Sequence, residues 1–246
     1  MQIIRVVSIS LLFFLSAGMW NMPYSQLKES NGRDYDPSKK FTIYAFSTYV
    51  SSATVQNNLD SPDPIERAGL TDISGGFGFG TEFDFKPIIL NLDLVYYLSV
   101  EYLHLDQSGI QYEYSDGINI YDYTARDKFT IVPLELGIKW PLPVGTDNFK
   151  IYIGGGGGIY VGTHTRYVDN ISSQTYKMTP GFSLNVMTGV DYYVGKNLAA
   201  SIELKFRDAA FDTYSKYNYI TTLPNPFTTR LIADGVRVTA GIKYDF

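Results

Sequence analysis

The chain has no cysteine and only 2 histidines among 246 residues. The first absence excludes disulfides, thiolate nucleophiles, iron–sulfur clusters and lipoprotein acylation. The second leaves little material for a metal site, because two isolated histidines provide no ligand spacing. Charged residues make up 18% and the net charge is −5, which argues against a basic nucleic-acid surface. Past the N-terminus, no apolar run approaches the roughly 18 residues that a membrane-spanning helix needs. What is plentiful is Gly (22), Tyr (21) and Phe (15). Glycine and aromatics in excess, with few charges, fit many short strands joined by tight turns and bordered by aromatic girdles.

The C-terminus carries the clearest pattern. Val236, Val238, Ala240, Ile242, Tyr244 and Phe246 alternate with Arg237, Thr239, Gly241, Lys243 and Asp245. A strand that is apolar on one face and polar on the other needs two environments. At a chain end that stops on an aromatic, these are most simply lipid outside and a polar lumen inside. At the other end, Arg5, an apolar stretch from Val6 to Leu15 and the small residues Ser16, Ala17 and Gly18 read as a secretory signal. Residues 1–18 are taken as the signal peptide, with cleavage as late as residue 25. Residues 19–40 are a polar periplasmic tail and residues 41–246 a barrel.

Between these ends strand and turn signals alternate. Expected strands are Phe41–Ser52, Ile73–Phe85, Leu92–Leu105, Phe129–Trp140, Phe149–Thr163, Phe182–Val194, Leu198–Phe206 and the terminal strand. The first has apolar residues on both faces, so its facing is left open. Pro133 donates no ladder bond, which predicts a bulge there. Short connections near Lys86–Leu90, Pro141–Asn148 and Gly195–Asn197 alternate with long ones near Thr54–Asp72, Asp106–Lys128, His164–Met178 and Asp208–Gly235. This predicts an all-β fold: an eight-stranded antiparallel up-and-down transmembrane β-barrel in a bacterial outer membrane, with both barrel termini periplasmic. The rival is a soluble β-sandwich or lipocalin-like barrel with the apolar face turned inward. The signal segment, the terminal phenylalanine, the aromatic strand ends and the two loop-length classes favour the membrane barrel.

Three segments carry a resemblance: Ile131–Gly137, Gly189–Gly195 and Gly241–Phe246. With them the chain resembles the small Gram-negative outer-membrane barrels, OmpA/OmpX-like and OmpW-like, of the porin-family domains. The last segment is similar to the signal read by the outer-membrane assembly machinery, which the resemblance assigns to Ala240, Ile242, Tyr244 and Phe246. The implied partners are outer-membrane lipid, lipopolysaccharide and that machinery, with an extracellular ligand beyond them. No cofactor is implied.

The inward positions hold both signs of charge. The acids are Glu82, Asp84, Asp93, Glu101, Glu135, Asp191 and Glu203, and the bases Lys139, Lys205, Arg207, Arg237 and Lys243. An eight-stranded barrel is just wide enough for its side chains to fill. Charges in that space should pair, since an unpaired buried charge is expensive. Either they plug the lumen or they line a narrow channel for small polar or apolar solutes. Inward glycines at Gly76, Gly78, Gly80, Gly154, Gly156 and Gly158 fit both uses, by leaving a passage or by making room for Tyr97, Tyr152 and Arg207 opposite. On the lipid face Gly155 and Gly157 leave a shallow groove. The least favoured reading, an outer-membrane lipid-modifying enzyme, needs a nucleophile beside a histidine or acid. His104 falls on the outward face and His164 at the rim with no such partners, so the chain is read as a non-enzyme with no catalytic or metal site. The long connections contain Tyr112, Tyr114, Tyr121, Tyr123, Tyr214, Tyr217 and Tyr219, either a recognition surface or self-packing hairpins.

Overall fold

The computed structural model describes residues 41–86, 94–115, 120–146, 148–218, 223 and 225–246, of which residues 65, 114, 115, 120 and 121 are described as backbone alone. The expected signal peptide and N-terminal tail lie outside these residues, as do Asp93 and Tyr219. The elements run β1 (Phe41–Asn57), α1 (Pro64–Ala68), β2 (Leu70–Phe85), β3 (Val95–Ser115), β4 (Ile120–Thr146), β5 (Phe149–Val168), β6 (Ile171–Thr179), β7 (Gly181–Tyr193), β8 (Leu198–Arg207), β9 (Ala209–Tyr217), β10 (Phe227–Ala233) and β11 (Val236–Asp245).

Eight of these strands, β1–β2–β3–β4–β5–β7–β8–β11, form a closed antiparallel ring. The ring closes where β11 pairs β1 from Thr42↔Asp245 to Val50↔Arg237. Beyond Thr42 the ladder ends in one more bond, from the Phe246 amide to the Phe41 carbonyl at 2.9 Å. The additional strands β6, β9 and β10 are continuations rather than further crossings. Pro180 alone separates β6 from β7, Asp208 separates β8 from β9, and Asp234–Gly235 separates β10 from β11. Proline cannot donate to a ladder, so a break at Pro180 is expected. Immediately after it, a Cβ on Gly181 would lie 1.9 Å from the Ala210 carbonyl oxygen, so only glycine lets β7 start there. Above the breaks, β10 pairs β1 and β9, and β9 pairs β6, so the barrel continues away from the chain termini. We call the two ends terminal and distal.

In the terminal half, alternation sends apolar side chains outward. On β8, Leu198, Ala200, Ile202, Leu204 and Phe206 are exposed while Ser201, Glu203, Lys205 and Arg207 are buried. Leu184 and Phe182 on β7 are 80% and 77% exposed. Such a belt on every strand of the ring requires a lipid surround. In the distal half the pattern inverts. Val55, Leu105, Ile110, Phe129, Phe211, Phe227 and Leu231 form a buried apolar core, and outward positions beside them include Thr54, Gln56, Asp106, Lys128, Thr130, Asp212 and Arg230.

Two expectations are corrected and one open point is settled. The long connections are mostly sheet: β3 and β4 pair as far as Ser115↔Ile120, β5 and β6 turn through Asp169–Asn170, and β9 pairs β10. Pro133 causes no bulge. The β3–β4 ladder lapses after Val100↔Leu134 and resumes at Leu103↔Ile131 in the same register, while Pro133 stays paired with Tyr160. The facing of β1 is now set. Tyr44, Phe46, Thr48 and Val50 point inward; Ser51 and Ser52 are then both exposed, so that Ala53 and Val55 take up the inward series while the register with β2 is unchanged. Its inward face is aromatic rather than polar, which is why alternation did not reveal it.

Candidate functional site

The candidate site is the barrel interior, which has two zones. In the terminal zone, Glu82, Asp84, Glu101, Glu135, Asp191 and Glu203 meet Lys139, Lys205, Arg207, Arg237 and Lys243, all of them buried. Nearest the chain termini, Lys243 Nζ lies 2.9 Å from Asp191 Oδ1. Lys139 Nζ bonds Glu82 and approaches Asp84 Oδ1 at 3.2 Å. One layer up, Lys205 Nζ donates to Glu135 Oε2 at 2.7 Å and lies 3.6 Å from Glu203. Above that, Arg237 Nη1 sits 3.1 Å from Glu101 and 3.6 Å from Glu135, and Arg207 Nη1 sits 3.7 Å from Glu101. Tyrosines are interleaved with the charges. The Tyr152 hydroxyl donates to Glu203 at 3.0 Å, that of Tyr160 donates to Glu135, and that of Tyr97 to Asn185 at 2.9 Å. Lys243 stands 4.4 Å from the Tyr152 ring centroid and Arg237 5.0 Å from that of Phe46. Contacts thus run from Lys243 through Tyr152, Glu203, Lys205, Glu135 and Arg237 to Glu101 and Arg207.

The inward glycines accommodate this packing. A Cβ on Gly156 would meet the Tyr97 hydroxyl oxygen at 2.5 Å, and one on Gly80 would meet the Phe46 ring at 2.6 Å. Gly189 is tighter still: Tyr152 Cζ and Oη would both lie at 2.3 Å. Of the two uses open for these glycines, the structure shows room for large side chains opposite.

The distal zone holds a cluster that sequence reasoning missed. Asp127, on β4, is wholly buried in the apolar core. Arg166, on β5, clamps it with Nε to Oδ1 and Nη2 to Oδ2, both at 2.8 Å. Arg166 Nη1 reaches Asn57 at 2.6 Å, and the Tyr112 hydroxyl donates to Asp127 Oδ2 at 2.5 Å. The guanidinium lies 4.0 Å from the Tyr112 ring centroid and 5.0 Å from that of Phe227. His164 is placed here and not at the rim: it is 0% exposed, stacked on Phe129 at 4.4 Å, with Nε2 3.2 Å from Asp127 Oδ1. The reason is parity. Tyr160, Gly162, His164, Arg166 and Val168 continue the inward series of β5 past the point where a loop was expected. Asp127 and Phe129 do the same on β4.

This cluster lies distal to the apolar belt, level with the outward Arg126 and Lys128. Burial alone would raise the Asp127 carboxyl, but Arg166 and His164 outweigh it and hold it well below the usual carboxylate range. Burial pushes the His164 imidazole down, against the pull of Asp127. A His–Asp pair is chemically suggestive. Here the ring is enclosed between Phe129 and the edge of Phe227, with no face open to a substrate. Among the described residues, no group of three or more His, Asp or Glu could hold a metal. His104 stands on the outer wall, paired with Phe77 and Thr130.

The tyrosines proposed for recognition divide differently. Tyr112 and Tyr217 are buried and Tyr123 packs against the distal core, so these three are corrected from surface to interior. They face inward because the segments that carry them are strands. Tyr214 is half-buried with Lys177 Nζ 5.0 Å from its ring centroid. The side chains of Tyr114 and Tyr121 lie outside the described residues. Ala240, Ile242, Tyr244 and Phe246 are all exposed on the outer face of β11 and just past its end, with the last two rings edge to face at 4.8 Å.

No protein-family model matches the sequence, and no curated protein matches it. Solved structures do resemble it. The outer membrane protein OprG from Pseudomonas aeruginosa superposes with a TM-score of 0.58 at 14% identity, over 85% of this chain and 96% of that one. A major outer membrane protein from Thermus thermophilus gives 0.52 at 11% identity, over 85% and 100%. The outer membrane protease OmpT from Escherichia coli gives 0.48 at 11% identity, over 88% and 100%. At such identities the first two likenesses are of fold: this chain has the architecture of small bacterial outer-membrane β-barrels.

Proposed function

We propose that the chain is an integral outer-membrane barrel, sealed along its interior, with its terminal end periplasmic and its distal end outside the cell. Its role in this reading is structural or surface-interacting, and it is not an enzyme. The observation that carries the reading is the filled lumen. Ion pairs span the terminal zone and an apolar core closes the distal one, with side chains such as Phe129, Leu105 and Lys205 fully buried. The enclosure of His164 supports the absence of catalysis. The exposed terminal residues Ala240 to Phe246 suit contact with the assembly machinery, and Tyr167 and Tyr176 remain exposed for an extracellular ligand.

One observation favours a second reading, a narrow channel with a lateral exit for apolar solutes. Between residues 161–166 of β5 and 173–178 of β6 no backbone pairs form, so the wall is held there by side chains. Planar-bilayer recording of the purified chain tests both readings, together with apolar-solute uptake into proteoliposomes. The sealed barrel predicts neither stable currents nor uptake above empty vesicles. Stable single-channel currents that change on Arg207→Ala or Glu203→Ala would defeat it.

A further inference from the structure

The unpaired stretch between β5 and β6 also shapes the outer wall. There the amides of Gly162, His164 and Arg166 bond Met178 Sδ at 3.4 Å, Thr175 Oγ1 at 2.8 Å and Ser173 Oγ at 2.9 Å. The two strands thus stand a side chain apart. Outside this stretch lies a depression of about 400 Å³, lined mainly by Val132, Val161, Gly162, Tyr176, Lys177 and Met178. Among the described side chains Val132 and Val161 are the most distal aliphatic outward residues of β4 and β5, so the depression opens at the distal edge of the lipid belt. One step further along the same two strands is a second depression of about 440 Å³, whose lining includes Arg126, Lys128 and Tyr167.

We propose that these adjoining depressions bind one membrane lipid of the outer leaflet that carries phosphate. An acyl chain occupies the apolar groove and the phosphorylated headgroup meets the cations above it. The site rests on the membrane-barrel reading, which places its apolar part against the leaflet. Its charge fits a phosphate. Arg126, Lys128 and Lys177 border the two depressions, and Lys216 Nζ stands 5.9 Å from the Tyr176 ring centroid. Against them are Asp106, which bonds Arg126 at 2.6 Å and lies 3.9 Å from Lys128, and Asp169. Two positive charges are left over on a chain whose net charge is −5. Exposed pairs such as Arg126–Asp106 hold weakly, and guanidinium and ammonium groups bind phosphate through charge-assisted bonds.

The test is native mass spectrometry of the full barrel released from phosphatidylcholine vesicles that contain bisphosphorylated lipid A. The expected result is retention of lipid A in preference to phosphatidylcholine. Each cation near an anionic headgroup is worth about fivefold, from roughly 1 kcal/mol per Lys or Arg. Lys128→Gln with Lys177→Gln should therefore lower retention about 25-fold, and Val132→Trp should abolish it by filling the groove. Lys86→Gln, at the terminal end, should change nothing. Equal retention of both lipids, indifference to the double variant, equal binding of dephosphorylated lipid A, or full displacement by inorganic phosphate would each overturn the proposal. Heat-modifiable gel mobility of every variant separates the two failures. A normal shift without lipid retention defeats this site alone, whereas no shift in the parent chain defeats the barrel reading beneath it.

Discussion

Replacing Arg166 by Met tests whether the distal half is held by one buried ion pair in an apolar core. Met retains most of the stem's packing and removes three hydrogen bonds, two to Asp127 at 2.8 Å and one to Asn57 at 2.6 Å. Asp127 keeps the Tyr112 hydroxyl at 2.5 Å and the edge of His164. Removing one partner of a buried pair costs about 3–5 kcal/mol, because the remaining charge stays out of water. With an unfolding slope of about 2 kcal/mol per molar urea, the midpoint in lipid vesicles should fall by about 2 M. Hydrogen exchange should quicken at residues 125–131 and 160–168 and remain slow along β11. Replacing both partners, Asp127→Leu with Arg166→Met, removes the orphaned charge and should recover most of the loss. Acid gives an independent readout. In the parent chain the Asp127 carboxyl is held low, so its stabilisation is complete above the ordinary carboxylate range and lost as pH falls through and below it. In Arg166→Met, burial without the guanidinium raises the same carboxyl, so acid should stabilise the distal half instead. A single-variant loss under about 1 kcal/mol would refute this account, as would a double variant no better than the single.

Two further outcomes follow from the same geometry. The folded His164 imidazole lies below its ordinary range, so the unfolded chain takes up the proton first as pH falls through about 6.5. Stability is complete above that pH and lost below it, and His164→Phe should flatten the difference between urea midpoints at about pH 7.5 and 5.5. Gly189→Val forces a side chain into the Tyr152 ring, where even a Cβ would meet Cζ at 2.3 Å. Overpacking of this kind costs about 1–3 kcal/mol. The fraction of heat-modifiable barrel on a gel should drop and should rise again when Tyr152→Ala is added.

Much of the ring was legible because its terminal half obeys strict alternation. The inward charges on β8 and β11 could be named from parity alone, since a strand offers only two faces. Three kinds of information were not. The facing of β1 was hidden because Tyr44 and Phe46 pack inward against Lys243 and Arg237, which makes its lumenal face as apolar as its outer one. The extent of β4 and β5 was underestimated because polar residues such as Arg126, Asp127, His164 and Arg166 resemble loop composition, although their parity continues the strand. The partner of each inward glycine lies on a neighbouring strand, so Gly156 facing Tyr97 needs register and not pattern.

The rival soluble barrel and the membrane barrel are both present in this chain, one above the other. On β4 below the belt edge, Leu134, Leu136 and Ile138 face out while Glu135 and Lys139 face in; above it, Arg126 and Lys128 face out while Phe129 and Ile131 face in. A lipid surround gives no hydrophobic reason to turn apolar side chains inward, so the terminal half fills its lumen with paired charges and tyrosines. A water surround restores that reason, and the distal half folds around leucine, phenylalanine and tyrosine as a soluble barrel does. The strand is continuous through the change; only the sign of its alternation reverses, at Ile131–Val132. The reversal marks the depth at which lipid gives way to water. On the outer wall this is the level of the β5–β6 groove. Inside, it is where the charged network ends at Arg207 and Glu101 and the core that encloses Asp127 begins. A solute path would have to cross both a salt-bridged layer and an apolar one, two barriers of opposite chemistry, which is the physical reason for reading this barrel as sealed.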